Sequence, residues 1–192
     1  MYGYSVYIDP IDFDKMEIEA LDVRMRYSLY DDYLDIENML KSIFNISLVP
    51  YSSLSDIKKE YAFLCSETGF SGYSFDQYGY LDATIYYNDY LPYPVQRLTM
   101  AHEFKHILFE ETEPSIKDEA LADYFAKCLL APKIIIIINN IDNVETIMKN
   151  FGVSYTCSYF HLQGINNRIK KYGKEPMGYE KDFLKLYKTN KT

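Results

Sequence analysis

The sequence predicts an α+β fold in which amphipathic helices pack around a small sheet. With 192 residues, 48% of them hydrophobic, the chain is long enough for one packed core and a small appended subdomain. Apolar residues recur at three- and four-residue spacing in several segments, as on the buried face of a helix. One segment, residues 69–89, is instead rich in aromatic and β-branched residues between turn signals, which favours a β-hairpin.

Four short elements are predicted before this hairpin. They are a strand over residues 2–8, an amphipathic helix over 31–44, a strand over 46–49 and a helix over 56–67. Pro10 and nearby aspartates interrupt the first strand, because proline has no backbone N–H for a sheet ladder. Asp31 and Asp32 are predicted to begin the first helix, where acidic side chains complement the positive end of the helix dipole.

The hairpin and the helix that follows it form the centre of the predicted fold. Two strands over residues 72–75 and 80–87 flank a turn near residues 76–79. Pro94 suits the first turn of the next helix, which is predicted over residues 94–109 from its apolar periodicity.

The remaining chain is predicted to be largely helical. Ser115 begins a helix with a capping-box pattern, and Pro132 ends it. The five isoleucines of residues 134–138 are predicted to form a connector or a strand. Residues 142–170 have the pattern of a helix, a turn and a second helix, and residues 179–187 are predicted to form a short terminal helix.

An HExxH pentapeptide, residues 102–106, lies on the helix after the hairpin. His102 and His106 are four residues apart and share a helix face, so both imidazoles can bind one metal ion. Glu103 can reach a water molecule activated by that metal and act as a general base. The motif therefore predicts a zinc-dependent peptidase, whereas the third histidine, His161, is predicted to be a partly buried structural residue.

Catalytic zinc needs a third protein ligand beyond two histidines. Glu110 lies one turn beyond His106, but three ligands along one helix face would span about 12 Å and could not converge. The next helix offers Glu119 and Asp123, four residues apart on a face with small alanines that allow close helix packing. We predict Glu119 as the third ligand and Asp123 as the partner that orients a histidine ring. A solvated helix face is the alternative interpretation of this pair.

Residues 84–110, followed by residues 119–132, resemble the ImmA/IrrE family of zinc metallopeptidases. The resemblance is carried by a strand ending in Tyr-Tyr-Asn-Asp, by the Arg-Leu-Thr lead into HExxH, and by the downstream pattern E-x-x-A-D-x-F-A-x-x-L-L-x-P. Residues 151–165 are similar to the helical segment that follows the peptidase core in this family. Lys105 stands where the family often has glycine, and we expect no loss because it faces away from the metal.

The resemblance implies a zincin-like core with a small mixed sheet, an active-site helix and a glutamate helix, followed by a C-terminal helix-turn-helix-like segment. We accordingly predict a metallopeptidase domain with an N-terminal helical extension over residues 1–140, and a C-terminal helical segment over residues 141–192. The resemblance also implies a Zn²⁺-dependent endopeptidase of the gluzincin-like HExxH…E type. Its implied protein substrate is a helix-turn-helix transcriptional repressor of a prophage or mobile element.

The second hairpin strand is a candidate for substrate binding. In zinc peptidases with HExxH helices, a strand beside the active-site helix commonly pairs with the backbone of an extended substrate. Ala83, Ile85 and Tyr87 are therefore candidate positions on such an edge strand. An ordinary sheet strand explains the same residues, and the sequence favours neither interpretation.

Composition restricts the partners and the compartment that we expect. The net charge of −8 opposes nucleic acid as the main partner. The longest apolar run has five residues, far short of the roughly 20 that a membrane-spanning helix needs. The amino-terminal segment lacks a signal-peptide pattern, and Cys65, Cys128 and Cys157 match no paired motif. We expect a cytoplasmic protein with all three cysteines in its core.

Two other functions are compatible with the sequence. The first is a DNA-binding regulator that uses residues 142–170, although helices around a glycine turn are a common packing unit and few basic residues precede Arg168. The second is a module that keeps zinc and binds a repressor without cleaving it. Cleavage of a repressor encoded by a neighbouring gene distinguishes the peptidase from both.

Overall fold

The computed structural model describes residues 7–75 and 81–191. In these residues the elements are α1 (Pro10–Arg26), α2 (Ile36–Asn38, continuing as a π-helical turn over Met39–Ile43), β1 (Ser47–Pro50), a 3₁₀ turn (Tyr51–Ser53), α3 (Asp56–Cys65), β2 (Gly69–Phe75), β3 (Leu81–Tyr87), α4 (Tyr93–Leu108), α5 (Ile116–Leu130), α6 (Lys133–Ile138), α7 (Val144–Phe151), α8 (Tyr155–Tyr172) and α9 (Gly178–Asn190). The predicted α+β class is confirmed. The strand predicted over residues 2–8 falls mostly outside the described ranges, and the turn near residues 76–79 falls wholly outside them.

The three described strands form one mixed sheet in the order β1-β3-β2. β3 pairs in parallel with β1, where Leu48 lies opposite Ile85, and antiparallel with β2, where Gly69 lies opposite Tyr87. The prediction that Ala83, Ile85 and Tyr87 belong to an edge strand is therefore wrong. Because β3 has a neighbour on each side, its backbone is occupied by the sheet, and among the described strands β1 and β2 lie at the edges.

Helix α1 occupies a region for which the sequence indicated only an interrupted strand. The Asp9 carboxylate accepts a hydrogen bond from the Ile11 backbone N–H, and Pro10 is the first helical residue. Proline suits that position because the first helical N–H has no partner within the helix. α1 packs along α5, so this helix covers one side of the element that carries Glu119.

Two further predictions differ from the structure. Helix α2 begins at Ile36, capped by Asp35, rather than at Asp31, whose carbonyl instead accepts hydrogen bonds from the Arg24 guanidinium. The isoleucine run forms helix α6 rather than a strand, directly after Pro132. Ile134 to Ile137 are all buried there, and burial on every side outweighs the low helix propensity of β-branched residues.

The C-terminal helices pack into the same hydrophobic core as the rest of the described chain. Phe183 and Tyr187 of α9 belong to one buried cluster with Met16 of α1 and with α4 and α5. The predicted division at residue 140 stays a prediction. Cys128 and Cys157 are buried as expected, but Cys65 is exposed, which corrects the expectation of a third core cysteine. No helix in the described residues has the length and apolar character needed to cross a bilayer.

A close approach between the sheet and α4, at Gly69, provides a test of this packing. A Cβ added at Gly69 would lie 2.5 Å from Thr99 Cγ2 and 2.7 Å from the Tyr86 carbonyl oxygen. We predict that Gly69→Ala lowers the free energy of unfolding by about 1–3 kcal/mol, because β2 must move away from α4. Urea denaturation followed by circular dichroism measures this loss.

Gly72→Ala is the matched control on the same strand. A Cβ at Gly72 meets only Tyr86 Cε2 within 4 Å, at an ordinary contact distance of 3.5 Å. This variant should keep the unfolding midpoint of the unaltered protein. Equal midpoints for the two variants would contradict the packing argument.

Candidate metal centre

Helices α4 and α5 bring His102, His106 and Glu119 together. His102 Nε2 lies 3.1 Å from His106 Nε2 and 3.1 Å from Glu119 Oε2, and His106 Nε2 lies 3.4 Å from Glu119 Oε1. Among the described residues, these three side chains form a group able to hold a metal ion. Ala122 and Ala126 of α5 are fully buried and small, as a close helix contact requires.

Two further carboxylates fix the imidazole rings from behind. Asp123 Oδ1 lies 2.9 Å from His102 Nδ1, and Glu111 Oε2 lies 2.7 Å from His106 Nδ1. An ionised carboxylate can only accept a hydrogen bond, so each Nδ1 carries the donated proton. In the neutral form of each ring, Nε2 then presents a lone pair toward the other ring and toward Glu119.

The spacing of these lone pairs fits a zinc ion. Tetrahedral coordination with bonds of 2.0–2.1 Å separates neighbouring ligand atoms by about 3.3 Å. The two Nε2 atoms are 3.1 Å apart, and the nearest Glu119 oxygens lie at 3.1 Å from His102 (Oε2) and 3.4 Å from His106 (Oε1). Facing acceptors repel one another without a cation between them, so the donor set itself favours a bound metal ion.

The electrostatics of the site also favour a cation. Burial alone would lower the pKa of His102, but the hydrogen bond to Asp123 and the charges of Glu103, Asp123 and Glu119 raise the pKa overall. The hydrogen bond from His102 in turn lowers the pKa of Asp123. The negative potential that raises the pKa of His102 would equally stabilise a divalent metal ion.

The site opens into a cleft of about 590 Å³ beside the edge strand β2. Glu103, His106 and Glu119 line it on one side, and residues 69–73 of β2 line it on the other. Glu103 is buried at this wall, one residue beyond His102, and its carboxylate therefore borders the space that a substrate would enter. The cleft therefore joins the candidate metal ligands to the edge of the sheet that β2 forms in the described part of the chain.

Tyr73 is a cleft residue that sequence reasoning did not single out. Side chains alternate along a strand, and Gly69 faces Thr99 of α4, so Tyr73 lies on the same α4-facing side. Its hydroxyl is buried and has no hydrogen-bond partner among the described residues. Burial raises the pKa of Tyr73, so the phenol remains a protonated donor at neutral pH.

Glu111 is the other residue that the sequence prediction missed, and Lys105 was expected only to face away from the metal. Lys105 does not contact the three candidate ligands, but its ammonium lies 2.5 and 2.6 Å from the two Glu111 carboxylate oxygens. Glu111 lies five residues beyond His106, outside helical periodicity, so its approach depends on how α4 ends. No pattern in the acidic linker signalled this contact.

A chain reversal at the end of α4 brings Glu111 back over His106. The Glu111 N–H donates to the His106 carbonyl oxygen at 2.9 Å, and the Glu110 N–H donates to the Ile107 carbonyl oxygen at 3.1 Å. This is the Schellman pattern, in which one residue takes a left-handed conformation. Glu110 occupies that position with φ of 54°, where glycine is usual.

The chain is similar to a known peptidase family in sequence and to a solved protein in structure. A model of the peptidase family described as Peptidase_M78, IrrE N-terminal-like domain, matches residues 66–161, which is half of the chain. A solved structure described as a Mycobacterium tuberculosis transcriptional regulator is similar, with a TM-score of 0.47 and 12% identity. That similarity covers 76% of this chain and 45% of the solved chain. No curated protein sequence matches this one.

His161 lies apart from the candidate centre and is a buried structural residue. Its Nε2–H donates to the Ala131 carbonyl oxygen at 2.7 Å, and burial lowers the pKa of the ring to about 4. This bond joins α8 to the segment between α5 and α6.

A pH dependence of stability follows from the buried His161 ring. The unfolded chain binds a proton near pH 6.5 and the folded chain only near pH 4, so acidification through this interval favours unfolding. We predict that His161→Gln, which keeps an N–H donor, reduces the stability lost between pH 7 and pH 4 by up to about 3 kcal/mol. Urea unfolding midpoints at both pH values measure the difference. If the variant and the unaltered protein lose the same stability between pH 7 and pH 4, this assignment of the pH dependence to His161 is wrong.

Proposed function

The chain belongs to the IrrE N-terminal-like peptidase family, and on this premise we propose that it is a zinc-dependent endopeptidase. In this proposal His102, His106 and Glu119 bind Zn²⁺. The main support is the convergence of two imidazole lone pairs and one carboxylate, with Glu103 at the wall of the adjoining cleft. That arrangement is the usual ligand set of a catalytic rather than a structural zinc site, because three protein ligands leave a position open.

Glu103 has the role of general base in this mechanism. Bound zinc would supply Lewis acidity, which activates a water molecule and polarises the scissile carbonyl. Glu103 takes the proton of the attacking water and passes it to the leaving amine. Tyr73 is the proposed donor of a hydrogen bond to the developing oxyanion, because the residue lines the same cleft and its hydroxyl has no partner among the described residues.

The edge strand β2 is the proposed platform for the substrate backbone. Its residues 69–73 border the cleft, and its outer edge has no strand partner among the described residues. An extended peptide can therefore add to this edge by β-augmentation, which brings its carbonyls past Glu103. In this proposal β2, rather than β3 as suggested from the sequence, is the strand that pairs with the substrate backbone.

The proposed substrate is a helix-turn-helix transcriptional repressor of a prophage or mobile element. This proposal rests on the resemblance to the ImmA/IrrE family. Incubation of the protein with a repressor encoded by the adjacent gene tests it directly, in zinc and in excess chelator. Zinc-dependent fragments would support the peptidase, and binding without fragments would favour a repressor-binding regulator.

A DNA-binding function has less support from α7 and α8. These helices do form a helix-turn-helix pair around Gly152, but Arg168 is buried in an ion pair with Glu180, 2.5 Å away. The exposed amino-terminal half of α8 carries Tyr155, Tyr159 and Phe160 rather than basic residues. Base readout uses the amino-terminal part of a recognition helix, so this surface is poorly suited to DNA.

The role of Glu103 can be separated from metal binding. We predict that Glu103→Gln retains bound zinc at the stoichiometry of the unaltered protein, because Glu103 is not a ligand. Cleavage of the repressor should fall by about 100-fold or more, since the amide cannot accept the proton. Elemental analysis and gel-based cleavage assays measure the two effects. Cleavage at the unaltered rate would exclude Glu103 as the base.

The third ligand requires its own test. We predict that Glu119→Ala lowers the zinc content measured after dialysis, because two histidines alone hold the metal weakly. Glu145→Ala removes another exposed acid, on α7 and away from the centre, and should leave the zinc content unchanged. If both variants keep the zinc of the unaltered chain, the third ligand lies elsewhere.

A further inference from the structure

A buried ion pair lies directly behind His106. The Lys105 side chain is only 1% exposed, and its ammonium contacts both carboxylate oxygens of Glu111. The same Glu111 carboxylate accepts the hydrogen bond from His106 Nδ1 at 2.7 Å. One carboxylate therefore connects a buried cation to an imidazole whose other nitrogen faces the candidate metal position.

We propose that Glu111 and Lys105 are positioning residues that act on the metal through His106. Glu111 holds the ring orientation and the tautomer with the free Nε2 lone pair, and Lys105 holds Glu111 in place. This inference rests on the proposed zinc-dependent function. It assigns to this chain a contact that the HExxH…E pattern does not contain.

Lys105 also links the two helices that supply the ligands. Its ammonium lies 3.4 Å from the Asp118 carbonyl oxygen, in the first turn of α5 and one residue before Glu119. Lys105 itself lies on α4, next to His106. The ammonium therefore bridges the end of α4, the reversal that carries Glu111, and the start of α5.

The two imidazoles are held in different ways. Asp123, behind His102, is 57% exposed, whereas Glu111, behind His106, is 20% exposed and paired with a cation. An exposed carboxylate can exchange its hydrogen bond with water, but a less exposed one paired with Lys105 has fewer alternative partners. His106 is consequently the more rigidly fixed of the two rings.

Lys105 is coupled to His106, because both side chains contact the same Glu111 carboxylate. A buried ammonium needs a counter-charge, and Glu111 is the carboxylate that contacts it. If Glu111 is removed, Lys105 loses its counter-charge and His106 loses its acceptor in one step. If Lys105 is removed, Glu111 keeps only the bond to His106. The two residues should therefore act on zinc affinity in an ordered way, with Glu111 between Lys105 and the ring.

The test measures zinc affinity and stability in a double-mutant series of the full chain. Glu111→Ala, Glu111→Gln, Lys105→Met and the double variant Lys105→Met/Glu111→Ala are titrated with Zn²⁺ against a chromophoric chelator. The visible absorption spectrum of bound Co²⁺ reports ligand geometry independently of cleavage. Glu113→Ala, which removes an exposed acid from the same connecting segment, is the matched control.

We expect Glu111→Ala to weaken zinc binding by about 10–100-fold and to alter the Co²⁺ spectrum, the effect typical of losing a partner behind a metal-binding histidine. Glu111→Gln should weaken zinc binding less than Glu111→Ala does, because its amide oxygen still accepts the hydrogen bond from His106. Lys105→Met should weaken binding moderately alone and not at all in the Glu111→Ala background. In that background it should raise the melting temperature, because it removes an unpaired buried cation.

The outcomes separate this inference from the proposed function. Zinc affinities and Co²⁺ spectra equal to those of the unaltered chain, in folded Glu111→Ala and Glu111→Gln, would overturn the positioning role while leaving the zinc site intact. Independent, additive losses from Lys105→Met and Glu111→Ala would overturn the order in which they act. Failure of the unaltered chain to bind zinc would overturn the proposed function, and this inference with it.

Discussion

The close packing of α4 against α5 is the contact on which the candidate metal centre depends. Two of the converging side chains lie on adjacent turns of α4, and the third lies on α5, so neither helix can assemble the set alone. The apolar faces of the same helices meet in the core, where the Phe104 and Phe125 ring centroids lie 6.2 Å apart. Core packing on one side of each helix therefore determines the spacing of the polar atoms on the other side.

Buried polar contacts hold α5 from the opposite side as well. The Lys133 ammonium lies 2.6 Å from Glu17 of α1, and Tyr124 of α5 donates a hydrogen bond to the same carboxylate at 3.2 Å. The Arg24 guanidinium of α1 donates to the Leu129 carbonyl oxygen near the end of α5 at 3.0 Å. Breaking one partner of such a buried charged contact typically destabilises a protein by about 3–5 kcal/mol. Since α1 and α4 both pack against it, α5 is a fixed support for Glu119 and Asp123.

The sequence predicted those features of the fold and site that depend on local periodicity and capping. Helices α4 and α5 lie within a residue of their predicted ends, and Ser115 forms the expected capping box with Asp118. His102, His106 and Glu119 could be predicted as one group because their positions on two helix faces follow from local spacing in the sequence.

The features that could not be predicted from the sequence depend on contacts between distant residues or on an atypical residue in a turn. The parallel pairing of β1 with β3 joins residues 37 positions apart, as between Leu48 and Ile85, and no local pattern shows which hairpin strand becomes central. Glu111 reaches His106 through a reversal whose left-handed position holds glutamate, so the usual glycine signal is missing.

The uneven exposure of the centre is consistent with a site that must be both accessible and well ordered. Glu119 and Asp123 are about half exposed, whereas His106 and Lys105 are buried. Under the proposed function, a peptide entering beside β2 would meet Glu103 and Glu119 along the wall of the cleft. The contacts that fix His106 are made at its Nδ1 by Glu111, which also lines the cleft. The short reversal after α4 therefore places one carboxylate, that of Glu111, both against the buried His106 ring and at the wall of the open cleft.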